Sequence, residues 1–160
     1  MSRESEKALK GIREFLEQNV KDDMSMEDMN ALVAQYMDHY NANLPGPVTE
    51  KTAKTSDDFM ELAESAADEG DDNSAVRFAR KALKLDPDNL DAERILAQLG
   101  STSLEDHLKK LERAIRRGEE VMEKHGLKDD DNIGNYWGIL ETRPYMRLRH
   151  SYMTDRKSVV

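Results

Sequence analysis

Hydrophobic positions recur at intervals of three and four almost from the start of the chain. Ala8, Leu9, Ile12, Phe15 and Leu16 share one face of a helix predicted over 3–19. The polar stretch "VKDD" breaks the pattern. Ser25, with Asp28 three residues on, then has the form of a capping box. It opens a second helix over about 26–42, with Met29, Leu32, Val33, Tyr36, Met37 and Tyr40 as its apolar stripe. Residues 41–55, "NANLPGPVTEKTAKT", have no apolar period, and their Pro and Gly predict a break. The reading is an N-terminal helical hairpin over 1–44 and a linker over 45–55.

Beyond the linker the inward positions become small. Ser56 is placed to cap a helix that turns Phe59, Leu62, Ala63, Ala66 and Ala67 to one side and stops at Gly70. Residues 71–85 do the same with Ala75, Val76, Ala79, Ala82 and Leu83, and Pro87 bars continuation. A short helix over 89–100 uses Ala92, Ile95, Leu96 and Leu99. Ser103 with Asp106 opens a longer one, about 104–125, on Leu104, Leu108, Leu111, Ile115 and Met122, and Gly126 ends it. After the polar turn 128–135, Thr142 is placed to cap a last helix with Pro144 in its first turn. Tyr145, Leu148 and Tyr152 form its predicted buried face, with Met146 and Met153 beside them. Trp137 and Ile139 are expected to pack ahead of it, and Arg147 and Arg149 to face outward. Runs rich in Val, Ile and Thr are absent, so the fold class is all-α.

The segment 56–89 resembles a tetratricopeptide repeat (TPR), a 34-residue helix-turn-helix unit. Phe59 stands at the place of the usual Trp, with Leu62, Ala63, Gly70, Ala75, Ala82 and Pro87 at the other signature places. The departures are Ala66 and Ala79, where aromatics are usual. Residues 89–126 keep the helix-pair logic, but Lys109 and Arg116 occupy the alanine places. The stretch from Trp137 to Arg147 also resembles a W-G-x-x-E-T-R-P-Y-M-R segment of bacterial TPR-like proteins, where it opens a further repeat. The resemblance implies antiparallel helical hairpins stacked as a short solenoid over 56–126. It implies the start of a further, incomplete repeat over 127–160. It also implies a peptide groove lined by the first helix of each pair, with Asp57, Met60, Glu64, Ala67 and Asp68 facing it.

Composition narrows the function. Hydrophobic residues make up 38% of the chain and charged residues 36%, which suits thin layers of amphipathic helices. The net charge of -9 opposes nucleic-acid binding, which needs many cationic phosphate contacts. With no cysteine there are no disulfides, thiolate metal sites or Cys nucleophiles. No apolar run reaches the ~20 residues of a membrane span, and the N-terminus has no apolar signal region. A soluble cytoplasmic protein with no membrane partner is expected.

Catalytic and metal signatures fail one by one. His39, His107, His125 and His150 are far apart, and surface or capping roles are expected for them. A calcium loop beginning at Asp129 meets Ile133 at its fifth place and Leu140 at its twelfth. No Gly-rich phosphate loop or G-x-S-x-G elbow occurs. No cofactor or metal is expected, and the chain is read as a non-enzyme. The expected function is a TPR-type protein–protein interaction scaffold. Its groove is acidic at Asp57, Glu64 and Asp68 and has Met60 as apolar anchor, which suits a basic or mixed peptide. Trp137, Tyr145, Arg147 and Arg149 form a second candidate contact surface at the C-terminal end. The alternatives are a homodimer through the C-terminal helix and an enzyme subunit with a site near Glu141, Arg143 and Tyr145.

Overall fold

The computed structural model describes residues 3–44, 46–128 and 132–157, which are helical with no strand among them. The chain divides into two units, Met1–Pro47 and Val48–Val160. No described helix is long and apolar enough to cross a membrane.

The first unit is a pair of helices, α1 (Arg3–Asn19) and α2 (Met26–Ala42). Ser25 caps α2 as expected. Its hydroxyl accepts from the Asp28 N–H, and the Asp28 carboxylate accepts from the Ser25 N–H in return. Gly11 has no side chain, and a Cβ there would collide with the Tyr36 hydroxyl. The two helices therefore approach closely enough for Phe15 to meet Tyr36 at 5.3 Å between ring centroids. The stripe of α2 is only half-buried throughout.

The second unit contains α3 (Ser56–Asp68), α4 (Asp72–Leu85), α5 (Leu90–Leu99), α6 (Leu104–Lys124) and α7 (Arg143–Lys157). Two 3-10 turns, Tyr136–Gly138 and Leu140–Thr142, precede α7. Each helix from α3 to α7 packs on the next, and α5 also touches both α3 and α7. The odd-numbered helices thus form a row, with α4 and α6 packed between successive members. Two cores result. Met60, Ala63, Phe78, Ala79, Ala82, Ala92 and Ile95 fill the first, between α3, α4 and α5. Leu90, Ala97, Leu111, Ala114, Met122, Tyr145 and Leu148 fill the second, between α5, α6 and α7.

Local signals set most helix ends. Gly70 and Gly126 have φ of +79° and +65°, and each closes a helix by the paired backbone bonds of a Schellman turn. The cap of α3 is Thr55 rather than Ser56, with Asp58 completing its box. The Ser56 hydroxyl instead donates to the Ala82 carbonyl at 2.9 Å and accepts from the Asn89 amide at 2.8 Å. It ties the start of α3 to the end of α4 and the start of α5. Residues 48–55, expected as linker, belong to this unit. Glu50 accepts from Arg77 at 2.6 Å and Lys81 at 2.7 Å, and those bonds hold its carboxyl down at about 2.

The small positions of α6 are Ala114 and Gly118, not the places that hold Lys109 and Arg116. A Cβ at Gly118 would lie 2.7 Å from the Tyr145 ring and 3.2 Å from Leu90. A helical Gly→Ala change at an exposed site gains about 1 kcal/mol. Here overpacking of a pinned ring costs about 1–3 kcal/mol. Gly118→Ala should therefore lose stability, by about 1 kcal/mol net, as read by urea unfolding.

The far end of α7 is tied by His107, which is mostly buried and bonds a carbonyl in the last turn of α5, so of the surface or capping roles expected it takes the capping one. Its Nδ1 lies 2.8 Å from the Ala97 carbonyl and its Nε2 lies 2.8 Å from the Asp155 carboxylate. Both neighbours are acceptors, so only the imidazolium donates to both. Burial opposes that charge, but the Ala97 and Asp155 bonds outweigh it and raise the pKa above 6.5. A raised folded pKa gives stability that is full below 6.5 and fades as pH rises through the folded value. The melting temperature should fall over that window, and His107→Gln should flatten the fall.

Candidate interaction face

The row α3, α5 and α7 carries a connected line of charge. Asp91, in the first turn of α5, is 3% exposed. Arg147 of α7 grips it with two bonds, Nε to Oδ1 at 2.8 Å and Nη2 to Oδ2 at 2.6 Å. This is the bidentate geometry that suits guanidinium to carboxylate. Asp91 Oδ1 also lies 3.6 Å from Arg94 Nε, and Arg94 Nη2 lies 3.8 Å from Glu64 Oε1 on α3. Arg94 donates to the Gln98 side chain at 3.1 Å, and Gln98 in turn donates to Ser151 at 3.4 Å. Glu64, Arg94, Asp91 and Arg147 thus link three helices with alternating sign.

A cleft of about 200 Å³ lies along this line, bordered by Arg94, Trp137, Arg147, His150 and Ser151. Trp137 is 52% exposed. The Arg143 Nε–H donates to its carbonyl at 3.0 Å, and the Thr142 hydroxyl donates to the carbonyls of Tyr136 and Ile139. Thr142 is fully buried and closes the 3-10 turns, where a cap for α7 was expected.

The expected site residues divide. Asp57 is half-buried, Asp68 is exposed and Glu64 is half-buried against Arg94. Met60, expected as the apolar anchor of a groove, is 0% exposed. Because α3 packs on both α4 and α5, its buried stripe is wider than a single partner requires. Trp137, expected to pack, is exposed, whereas Tyr145 is a core residue. The Tyr145 hydroxyl donates to Glu119 at 3.2 Å and accepts from Arg149 at 2.9 Å, and burial chiefly raises its pKa. Arg149 is exposed, but Arg147 is turned onto Asp91 rather than outward. Met153 is exposed rather than buried.

Asp91, Arg94, Gln98, His150 and Ser151 were missed. In the sequence Asp91 reads as an ordinary acidic residue of a helix start. For the alternative site, Tyr145 is committed to α6 and Arg143 to the Trp137 turn. Among the described residues no group of His, Asp or Glu is placed to hold a metal. Residues 129–131 of the failed calcium loop lie outside the described residues. No protein-family model matches the chain, and comparison with curated proteins and with solved structures returns no match.

Proposed function

We propose that the second unit is a TPR-like, non-catalytic interaction module that binds a peptide of mixed charge along α3, α5 and α7. The order of helix packing supports the TPR-like part, since first helices of successive pairs adjoin in such stacks. The observation that carries the binding part is an exposed indole beside a row of compensated charges. Such a row favours a peptide that offers both signs in register over one that is only basic. Asp57 and Asp68 keep the α3 end acidic. Trp137 takes the anchoring role that buried Met60 does not fill, and exposed Trp is a frequent centre of binding energy.

The test is a peptide-display selection on the full chain, followed by titration of the selected peptide. Trp137 is the sole Trp, so its fluorescence reports directly on the cleft. Trp137→Ala and Asp57→Lys/Asp68→Lys should each weaken binding at least about tenfold, a change of about 1.4 kcal/mol. Unchanged affinity in both variants would remove the proposal.

A second reading is self-association through α7, favoured by Trp137 and Met153, both exposed at or beside that helix. Sedimentation over a wide concentration range tests it. A constant monomer mass excludes it.

A further inference from the structure

A second cleft, of about 260 Å³, opens between α4, α5 and α6 and shares no lining residue with the first. Its apolar floor is Leu96 and Ala97 from α5 and Ala114 from α6. Arg80 of α4 and Arg113 of α6 stand at its rim, and both are exposed. Neither makes a hydrogen bond or ion pair among the described residues. Arg77, Arg117, Arg147 and Arg149 each have a carboxylate neighbour.

The other charges around the cleft are already engaged. Lys110 donates to Asp106 at 2.8 Å and to the Gly100 carbonyl at 2.8 Å. Glu93 is mostly buried, and its Oε1 lies 3.5 Å from Arg117 Nε. Arg113 shares the field of the Glu93 carboxylate with Arg117, while Arg80 makes no ion pair among the described residues, so the rim of this apolar surface keeps a cationic excess. Such sites attract an anionic group that also carries an apolar stem.

We propose that this cleft binds an acidic peptide segment, with one aliphatic side chain on the Leu96–Ala97–Ala114 floor and carboxylates reaching Arg80 and Arg113. The occupant is opposite in kind to the mixed-charge peptide of the α3–α5–α7 face, so each site is testable without the other. Binding weakens with salt, because both contacts are exposed.

The experiment titrates the full ¹⁵N-labelled chain with acetyl-Asp-Glu-Leu-Asp-Glu-amide, its Lys-Lys-Leu-Lys-Lys counterpart, and hexanoate. The acidic peptide should produce saturable shifts at the amides of Leu96, Ala97, Gly100 and Ala114, and the basic peptide none. Arg80→Gln/Arg113→Gln should weaken the acidic peptide at least about tenfold. Arg116→Gln/Lys109→Gln removes the same charge from exposed positions of α6 outside the cleft and should change affinity less than about twofold. Equal loss in both double variants would reduce the effect to bulk charge and overturn the proposal. Shifts centred on other residues, or hexanoate binding as tightly as the peptide, would overturn it as well.

Discussion

Arg147→Ala should lower the unfolding free energy by about 3–5 kcal/mol, the range found when one partner of a buried ion pair is removed. Asp91 has a side chain 4% exposed, and Arg147 supplies two short bonds to it. Without them the carboxylate keeps Arg94 at 3.6 Å, beyond hydrogen-bond distance. Water cannot readily replace the two short donor bonds at a buried site, so part of the desolvation of Asp91 loses its compensation. The loss should weaken the whole second unit, because the pair is one of the ties between α5 and α7. Urea unfolding of Arg147→Ala, Asp91→Ala and the double variant measures the coupling. The double variant should be less damaged than the sum of the two single changes. Additive losses would show that the two residues stabilise the unit independently. A well-packed apolar pair, Asp91→Leu with Arg147→Met, should recover most of the stability.

Met60→Ala should cost about 2–5 kcal/mol, as truncation of a fully buried Met does when the cavity cannot collapse. Met60 sits against α4 and α5 in a cluster otherwise rich in alanine, where small neighbours leave little to move into the gap. The affinity of a selected peptide, measured on the folded protein, should stay the same within about twofold. The opposite pattern, intact stability with lost binding, would return Met60 to a groove. Met60→Leu, which nearly conserves volume, should cost less than about 1.5 kcal/mol.

The sequence carried helix identity and most helix ends, because those depend on neighbours within one turn. Ser25, Gly70 and Gly126 act through bonds to residues no more than five positions away. It did not carry which part of each helix has a second partner. Met60 looked like a groove residue because α5 is invisible from within α3. Arg147 looked solvent-facing because its partner lies 56 residues earlier in the chain. Trp137 left its expected packed place for a similar reason, while Tyr145 lies on the buried face predicted for it. The two 3-10 turns held by Thr142 turn the indole outward, while Gly118 opens the space into which the Tyr145 ring fits. Neither contact leaves a periodic trace in the sequence.

One short helix joins the two cores. α5 gives Ala92 and Ile95 to one and Leu90 and Ala97 to the other. Amide hydrogens buried on both sides exchange with solvent only when both surroundings open together. The ten residues of α5 should therefore exchange most slowly in the second unit, although α6 is more than twice as long, and native-state hydrogen exchange checks this. Opening at α3 or at α7 should therefore reach the other through it, and that unit should lose structure as one cooperative body rather than pair by pair.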